Sequence, residues 1–167
     1  MILLKDLLYE MKMSSPNLLI PRKLEGRMEK YIQSKIKEYI KNNNVGDFDI
    51  SGLGLTKLPT SLKDLKIVGY FYCSYNSLTS LEGAPTRVVG DFYCSYNLLD
   101  TLVGAPVTVG GSFYCSRNSL TSLDGLIRDD GVRMSVGRDF YCYDNRGLKF
   151  TKEQVRTVCD VTRKIFV

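Results

Sequence analysis

The sequence has no histidine and no tryptophan in 167 residues. Without histidine, Ser/His and Cys/His nucleophile pairs and His-containing zinc sites are excluded. No stretch approaches the ~18 consecutive apolar residues of a membrane-spanning helix. No Cys-x-x-Cys occurs among Cys73, Cys94, Cys115, Cys142 and Cys159. Met1–Glu10 begins apolar, but Lys5, Asp6 and Glu10 interrupt it and no small-residue cleavage site follows, so no export signal is read there. The expectation is a chain of the reducing cytoplasm, without a disulfide framework.

What is present points to one folded domain. The hydrophobic fraction is 44%, too high for a disordered chain. The net charge of +5 is unevenly placed: residues 1–45 hold nine Lys/Arg against five Asp/Glu, residues 46–150 ten against eleven, and residues 151–167 four against two. The middle of the chain is therefore close to neutral, which counts against a nucleic-acid-binding face there.

That middle repeats itself. Phe-Tyr-Cys-Ser-Tyr-Asn stands at 71–76 and again at 92–97, then as Phe-Tyr-Cys-Ser-Arg-Asn at 113–118 and Phe-Tyr-Cys-Tyr-Asp-Asn at 140–145. The starts are 21, 21 and 27 residues apart, a period that marks a solenoid of stacked units. Asp47–Pro59 reads as a divergent first unit, with Phe48 and Ile50 set against Phe71 and Cys73, and Leu53 where the other units have Asn. Ile67, Val88, Val109 and Val136 precede the repeated phrase. Leucines follow it at 78, 99 and 120 and again at 81, 102 and 123, and Gly-Ala-Pro closes two units. In the longest interval, Leu126–Met134 carries six extra residues where Gly-Ala-Pro is expected.

The flanks read as helical. Leu3, Leu4, Leu7, Leu8 and Met11 predict a short amphipathic helix over 3–12, broken by Ser14-Ser15-Pro16-Asn17. From Pro21, the 3.6-residue spacing of Leu24, Met28, Tyr31, Ile32, Ile36, Tyr39 and Ile40 predicts a helix to about Lys41, ended by Asn42-Asn43-Asn44. Such a helix is expected to cover the open end of the solenoid core. Thr151-Lys-Glu-Gln154 reads as a capping box opening a helix with Val155, Val158 and Cys159 inward. That helix and Ile165-Phe-Val167 are expected to seal the far end.

The unit pattern resembles the leucine-rich repeat L-x-x-L-x-L-x-x-N-x-L, with Phe and Cys in the strand leucine positions. The short, Pro-punctuated units resemble the bacterial type, and phage-encoded solenoids built of Cys-Ser-x-Asn-x-Leu-Thr-Ser-Leu-x-Gly-x-Pro units more closely still. The resemblance covers about 46–150. It implies an α/β solenoid: a leucine-rich-repeat-like parallel β-sheet of about five repeats at 46–150, an N-terminal helical cap at 1–45 and a short C-terminal helical cap at 151–167. It implies a binding scaffold of this type, in a host-cell cytoplasm if phage-encoded.

The repeated columns suggest roles. Asn76, Asn97, Asn118 and Asn145 form a ladder suited to satisfying backbone groups at each strand-to-turn corner. The cysteines would stack one per layer in a line, which does not converge on a tetrahedron, so they are read as small buried hydrophobes with no metal and no cofactor. The residue between Phe and Cys faces the other way along a strand. There Tyr72, Tyr93, Tyr114 and Tyr141 make a stripe on the solvent side. Tyr70, Asp91, Ser112 and Asp139 flank it on one side; Ser74, Ser95, Ser116 and Tyr143 flank the other, followed by Tyr75, Tyr96, Arg117 and Asp144. Tyrosine edged by carboxylate and arginine matches protein-binding hot spots.

The candidate partner-binding set is therefore Tyr70, Tyr72, Asp91, Tyr93, Tyr96, Tyr114, Arg117, Asp139, Tyr141 and Tyr143, with no catalytic residue. The function expected is a non-enzymatic protein–protein interaction module; the phage resemblance implies a bacterial host protein that is inhibited or redirected. The competing readings are nucleic-acid binding through stacked tyrosines and basic termini, mere same-face packing of the sheet, and a small structural or virion protein. An enzyme is disfavoured: about 17 residues follow the array, and Asp47 and Asp49 sit on the solvent side without a pocket.

Overall fold

A computed structural model of the chain describes residues 22–147 and 149–167. The helix expected over 3–12 lies outside the described residues. The first element, α1 (Arg22–Lys41), buries Met28, Ile32, Ile36 and Tyr39, spaced to share one face. Ile40, read from its spacing as inward, is exposed instead, because it lies off that stripe. Asn43 and Asn44 turn left-handed, at φ 56° and 59°, and end the helix. Tyr39 sets its ring edge-on to Phe48 at 5.4 Å, so α1 covers the first coil.

From there the chain is a parallel β-solenoid of about five turns. Its strands are β1 (Phe48–Asp49), β2 (Phe71–Tyr72), β3 (Arg87–Val88), β4 (Phe92–Tyr93), β5 (Thr108–Val109), β6 (Phe113–Tyr114), β7 (Met134–Val136), β8 (Phe140–Tyr141), β9 (Cys159–Val161) and β10 (Ile165–Phe166), with α2 (Lys152–Val158) before β9. Six of them form one sheet in the order β1-β2-β4-β6-β8-β10, all parallel and in register. Phe48, Phe71, Phe92, Phe113 and Phe140 point inward and stack at 5.2–5.9 Å between ring centroids. Of the expected leucines, Leu78, Leu99, Leu120, Leu81 and Leu102 fill the same core and are fully buried, while Leu123 packs against it half-buried.

The structure adds two features to the expected single sheet. Val88, Val109 and Val136 belong to a second parallel sheet, β3-β5-β7-β9, which Ile67 extends by one bridge to Val88. The C-terminal segment is also more than a helical lid. Thr151 and Gln154 do form the capping box, and Val155 and Cys159 are buried with Val158 half-buried beside them, but Cys159 lies past the helix as the first residue of β9. β9 then pairs with β7 and β10 with β8, so the tail supplies one further layer to both sheets.

The insertion begins after Gly125, which keeps the left-handed backbone of Gly83 and Gly104 (φ 97°, 90° and 85°). Residues 126–134 fold as a small hairpin, with Ile127 bridged antiparallel to Arg133 and Leu126 and Met134 buried at its base.

Candidate functional site

The side chains on the outside of the six-stranded sheet come from strands only two residues long, so each face holds one side chain per coil. Tyr72, Tyr93, Tyr114 and Tyr141 occupy that column, all half-buried. Their rings stack face to face at 4.7, 4.5 and 4.5 Å, and Phe166 of β10 adds a fifth ring 4.6 Å beyond Tyr141. The five rings run parallel to the inner phenylalanine stack, with the strand backbone between. Phe166 stood in the expected C-terminal cap; Ile165-Phe166-Val167 is apolar throughout, so its outward place shows only in the pairing of Phe166 with Tyr141.

The flanking column is less open than its carboxylates suggest. Asp91 is buried: one oxygen accepts the Ser112 N–H at 2.7 Å and the other accepts the Tyr93 hydroxyl at 2.9 Å. Asp47 accepts the Tyr70 N–H and Asp139 the Lys164 N–H, at 2.8 and 2.9 Å. These acids tie each coil to the next, so Asp91 and Asp139 serve the frame beneath the face. Tyr70 and Tyr143 are exposed, each edge-on to the stack: Tyr70 at 6.2 Å from Tyr72, Tyr143 at 6.5 Å from Tyr141.

On the other side runs a second ladder, built from the turn after each strand. Tyr75, Tyr96, Arg117 and Asp144 share a left-handed backbone, φ 55–58°, which ordinary side chains adopt only at a cost. Tyr75 stacks on Tyr96 at 4.4 Å, the Arg117 guanidinium lies 5.0 Å from the Tyr96 centroid and hydrogen bonds its hydroxyl, and Arg117 pairs with Asp144 at 3.4 Å. Of this ladder only Tyr96 and Arg117 were in the candidate set. The sequence signal for the turn was Gly52, the first-coil member of the column, itself at φ 67°.

The Tyr and Cys chemistry is that of neutral groups. Burial, then the hydrogen bond to Asp91, pushes the Tyr93 hydroxyl well above its ordinary value. Burial also raises Cys73, Cys94 and Cys115 far above a free thiol and pushes Cys159 up to about 12. Three of these thiols donate to the carbonyls of Tyr93, Tyr114 and Tyr141 at 3.2–3.3 Å, one per coil in a line.

An alkaline transition follows. In the unfolded chain Cys73, Cys94, Cys115 and Cys159 lose their protons from about pH 8.5 and Tyr93 from about pH 10, while folding holds all five above those values. The unfolded state then binds fewer protons at these groups, so the stability they contribute is fully present below about pH 8 and is lost as pH rises through 9 to 12. Thermal melts taken across that range check this; a midpoint that stays level to pH 11 contradicts it.

A concavity of about 1150 Å³ lies elsewhere, between the Gly-Ala-Pro ridge, the 126–134 hairpin and α2, lined among others by Lys63, Asp124, Arg128, Phe150 and Gln154. None of the candidate residues lines it. Among the described residues, no three His, Cys, Asp or Glu side chains are grouped to hold a metal ion, and no helix is long and apolar enough to cross a membrane. No protein-family model matches the chain, and no curated protein matches it.

Proposed function

We propose that the chain is a non-enzymatic protein-binding module whose contact surface is the outer ring stack of Tyr72, Tyr93, Tyr114, Tyr141 and Phe166 with its exposed margins. The observation that carries this reading is the stack itself: five aromatic rings stacked at 4.5–4.7 Å on the outside of a sheet whose core is already filled. Tyrosine and phenylalanine offer large contact area, and rings immobilised before encounter lose little further freedom on binding. The buried, protonated thiols support a non-catalytic reading, since the thiolate is the nucleophile.

The ring spacing also argues against nucleic acid. A base binds by lying on an open ring face. Here each of Tyr93, Tyr114 and Tyr141 has a ring against both faces at 4.5–4.7 Å, and only edges are presented. Edges with hydroxyl tips suit a protein surface. The likeness of the units to phage-encoded solenoids supports a bacterial host protein as the partner, with its inhibition or redirection as the outcome.

The test is a pull-down from bacterial lysate with the wild type beside Tyr93→Ala/Tyr114→Ala, both confirmed folded by circular dichroism. A protein held by the wild type and lost by the variant is expected. Equal retention by the folded variant overturns the reading.

A further inference from the structure

Within the outer stack, the Tyr93 hydroxyl meets a buried carboxylate. Its O–H donates to Asp91 Oδ2 at 2.9 Å, inside the ~2.6–3.2 Å reach of proton transfer. Asp91 is 8% exposed, while Asp139 in the same column is half-buried and Asp47 exposed. The other Asp91 oxygen accepts the Ser112 N–H at 2.7 Å, and its backbone carbonyl accepts the Phe71 N–H at 3.0 Å. The carboxylate is thus held in place. Burial, then Asp91, raises the Tyr93 hydroxyl well above its ordinary value, so the pair starts as a protonated phenol bonded to a carboxylate.

That pairing decides where the stack gives up an electron. An oxidised phenol is a strong acid, and the vacancy settles only where a base takes the proton. At Tyr93 the base is already bonded. Proton transfer there also turns the buried Asp91 charge into a neutral carboxyl, so oxidation removes a charge from a place poor in water. The Tyr93 ring lies between Tyr72 at 4.7 Å and Tyr114 at 4.5 Å, with Tyr141 a further 4.5 Å on. Rings in contact exchange an electron readily, so a vacancy formed on any of them is passed to Tyr93. Both faces of the Tyr93 ring are covered, which keeps other radicals off it.

We propose that Tyr93 and Asp91 form a redox site that gives one electron to an oxidant of the peroxyl-radical class and holds the resulting vacancy. The electron leaves the Tyr93 phenol and reduces the peroxyl radical to its peroxide anion. The Tyr93 O–H bond breaks, and the proton forms an O–H bond with Asp91 Oδ2. A neutral phenoxyl radical and a neutral carboxyl remain. The inference is independent of the partner-binding reading and shares no readout with it.

The experiment oxidises the full chain with flash-generated tris(bipyridine)ruthenium(III), a one-electron oxidant standing in for the peroxyl radical. The phenoxyl radical is followed by transient absorption and by freeze-quench electron paramagnetic resonance. A radical that outlives that of N-acetyltyrosinamide under the same flash is expected, formed more slowly in deuterium oxide because the proton moves with the electron. Tyr93→Phe keeps a ring in the stack and is expected to lose the long-lived signal, while Tyr141→Phe is expected to keep it. Asp91→Asn, confirmed folded by circular dichroism, is expected to lose it as well; if that variant does not fold, Tyr93→Phe decides. A long-lived radical that survives in Tyr93→Phe or in folded Asp91→Asn overturns the inference. So does its loss in Tyr141→Phe, an equal rate of formation in the two solvents, or a wild-type radical that decays as fast as that of the free amide.

Discussion

Replacing Asn118 by Ala is expected to remove about 4 kcal/mol of stability, because it strips partners from several buried backbone groups at once. The Asn118 Oδ1 accepts the Leu99 N–H at 3.1 Å, and its Nδ2 donates to the carbonyls of Cys94 and Cys115 at 3.2 and 3.0 Å. Asn118 is 2% exposed, so these bonds are made out of contact with solvent. Asn76 and Asn97 repeat the arrangement, each bonding its own coil and the coil before. Urea denaturation of Asn118→Ala beside the wild type checks the figure; a loss under about 1 kcal/mol contradicts a structural ladder.

Phe113→Ala is the second large effect. The Phe113 ring is fully buried between Phe92 at 5.4 Å and Phe140 at 5.5 Å, and no neighbour can collapse into the gap without breaking the stack on both sides. A loss of about 4 kcal/mol is expected, with a fall in melting temperature of about 10 °C. Because coils contact only their neighbours, the transition is also expected to broaden as the two halves uncouple. Tyr114→Ala, one residue along and on the outer face, is expected to cost only about 1 kcal/mol, the scale of a same-face aromatic pair. Thermal melts of the two variants side by side separate core from surface; equal losses contradict the assignment of Tyr114 to an outer, half-buried stack.

The solenoid was legible because its signals repeat. Phe and Cys two residues apart, an Asn three after Cys and, in three units, Leu two after that return at near-constant spacing; the Phe, Cys and Leu columns are buried, as are Asn76, Asn97 and Asn118, while Asn145 at the end of the array is half-buried. Leu53 was legible only as a departure. The structure explains it: Asn76 of the second coil reaches back to the Ile50 carbonyl and the Leu55 N–H, so the first coil needs no amide of its own.

The second sheet was not legible, because strands of two or three residues are too short for alternation to show and Val88 or Val109 reads only as one apolar point. The left-handed turn was hidden for a different reason. Tyr75 and Tyr96 occupy a conformation that glycine or asparagine fills more readily, and only Gly52 betrayed it. Asp91 looked like a binding carboxylate from its position beside the stripe. Its use as an acceptor for the next coil depends on a neighbouring N–H that sequence spacing does not display.

The central claim, that the outer ring stack is where a partner sits, is tested most directly by a photo-crosslinking residue placed at Tyr114 and, in a second protein, at Val103 on the exposed opposite ridge. Irradiation in bacterial lysate is expected to give a discrete adduct from position 114 and none from position 103. An adduct from position 103 alone, with nothing from 114, contradicts the claim.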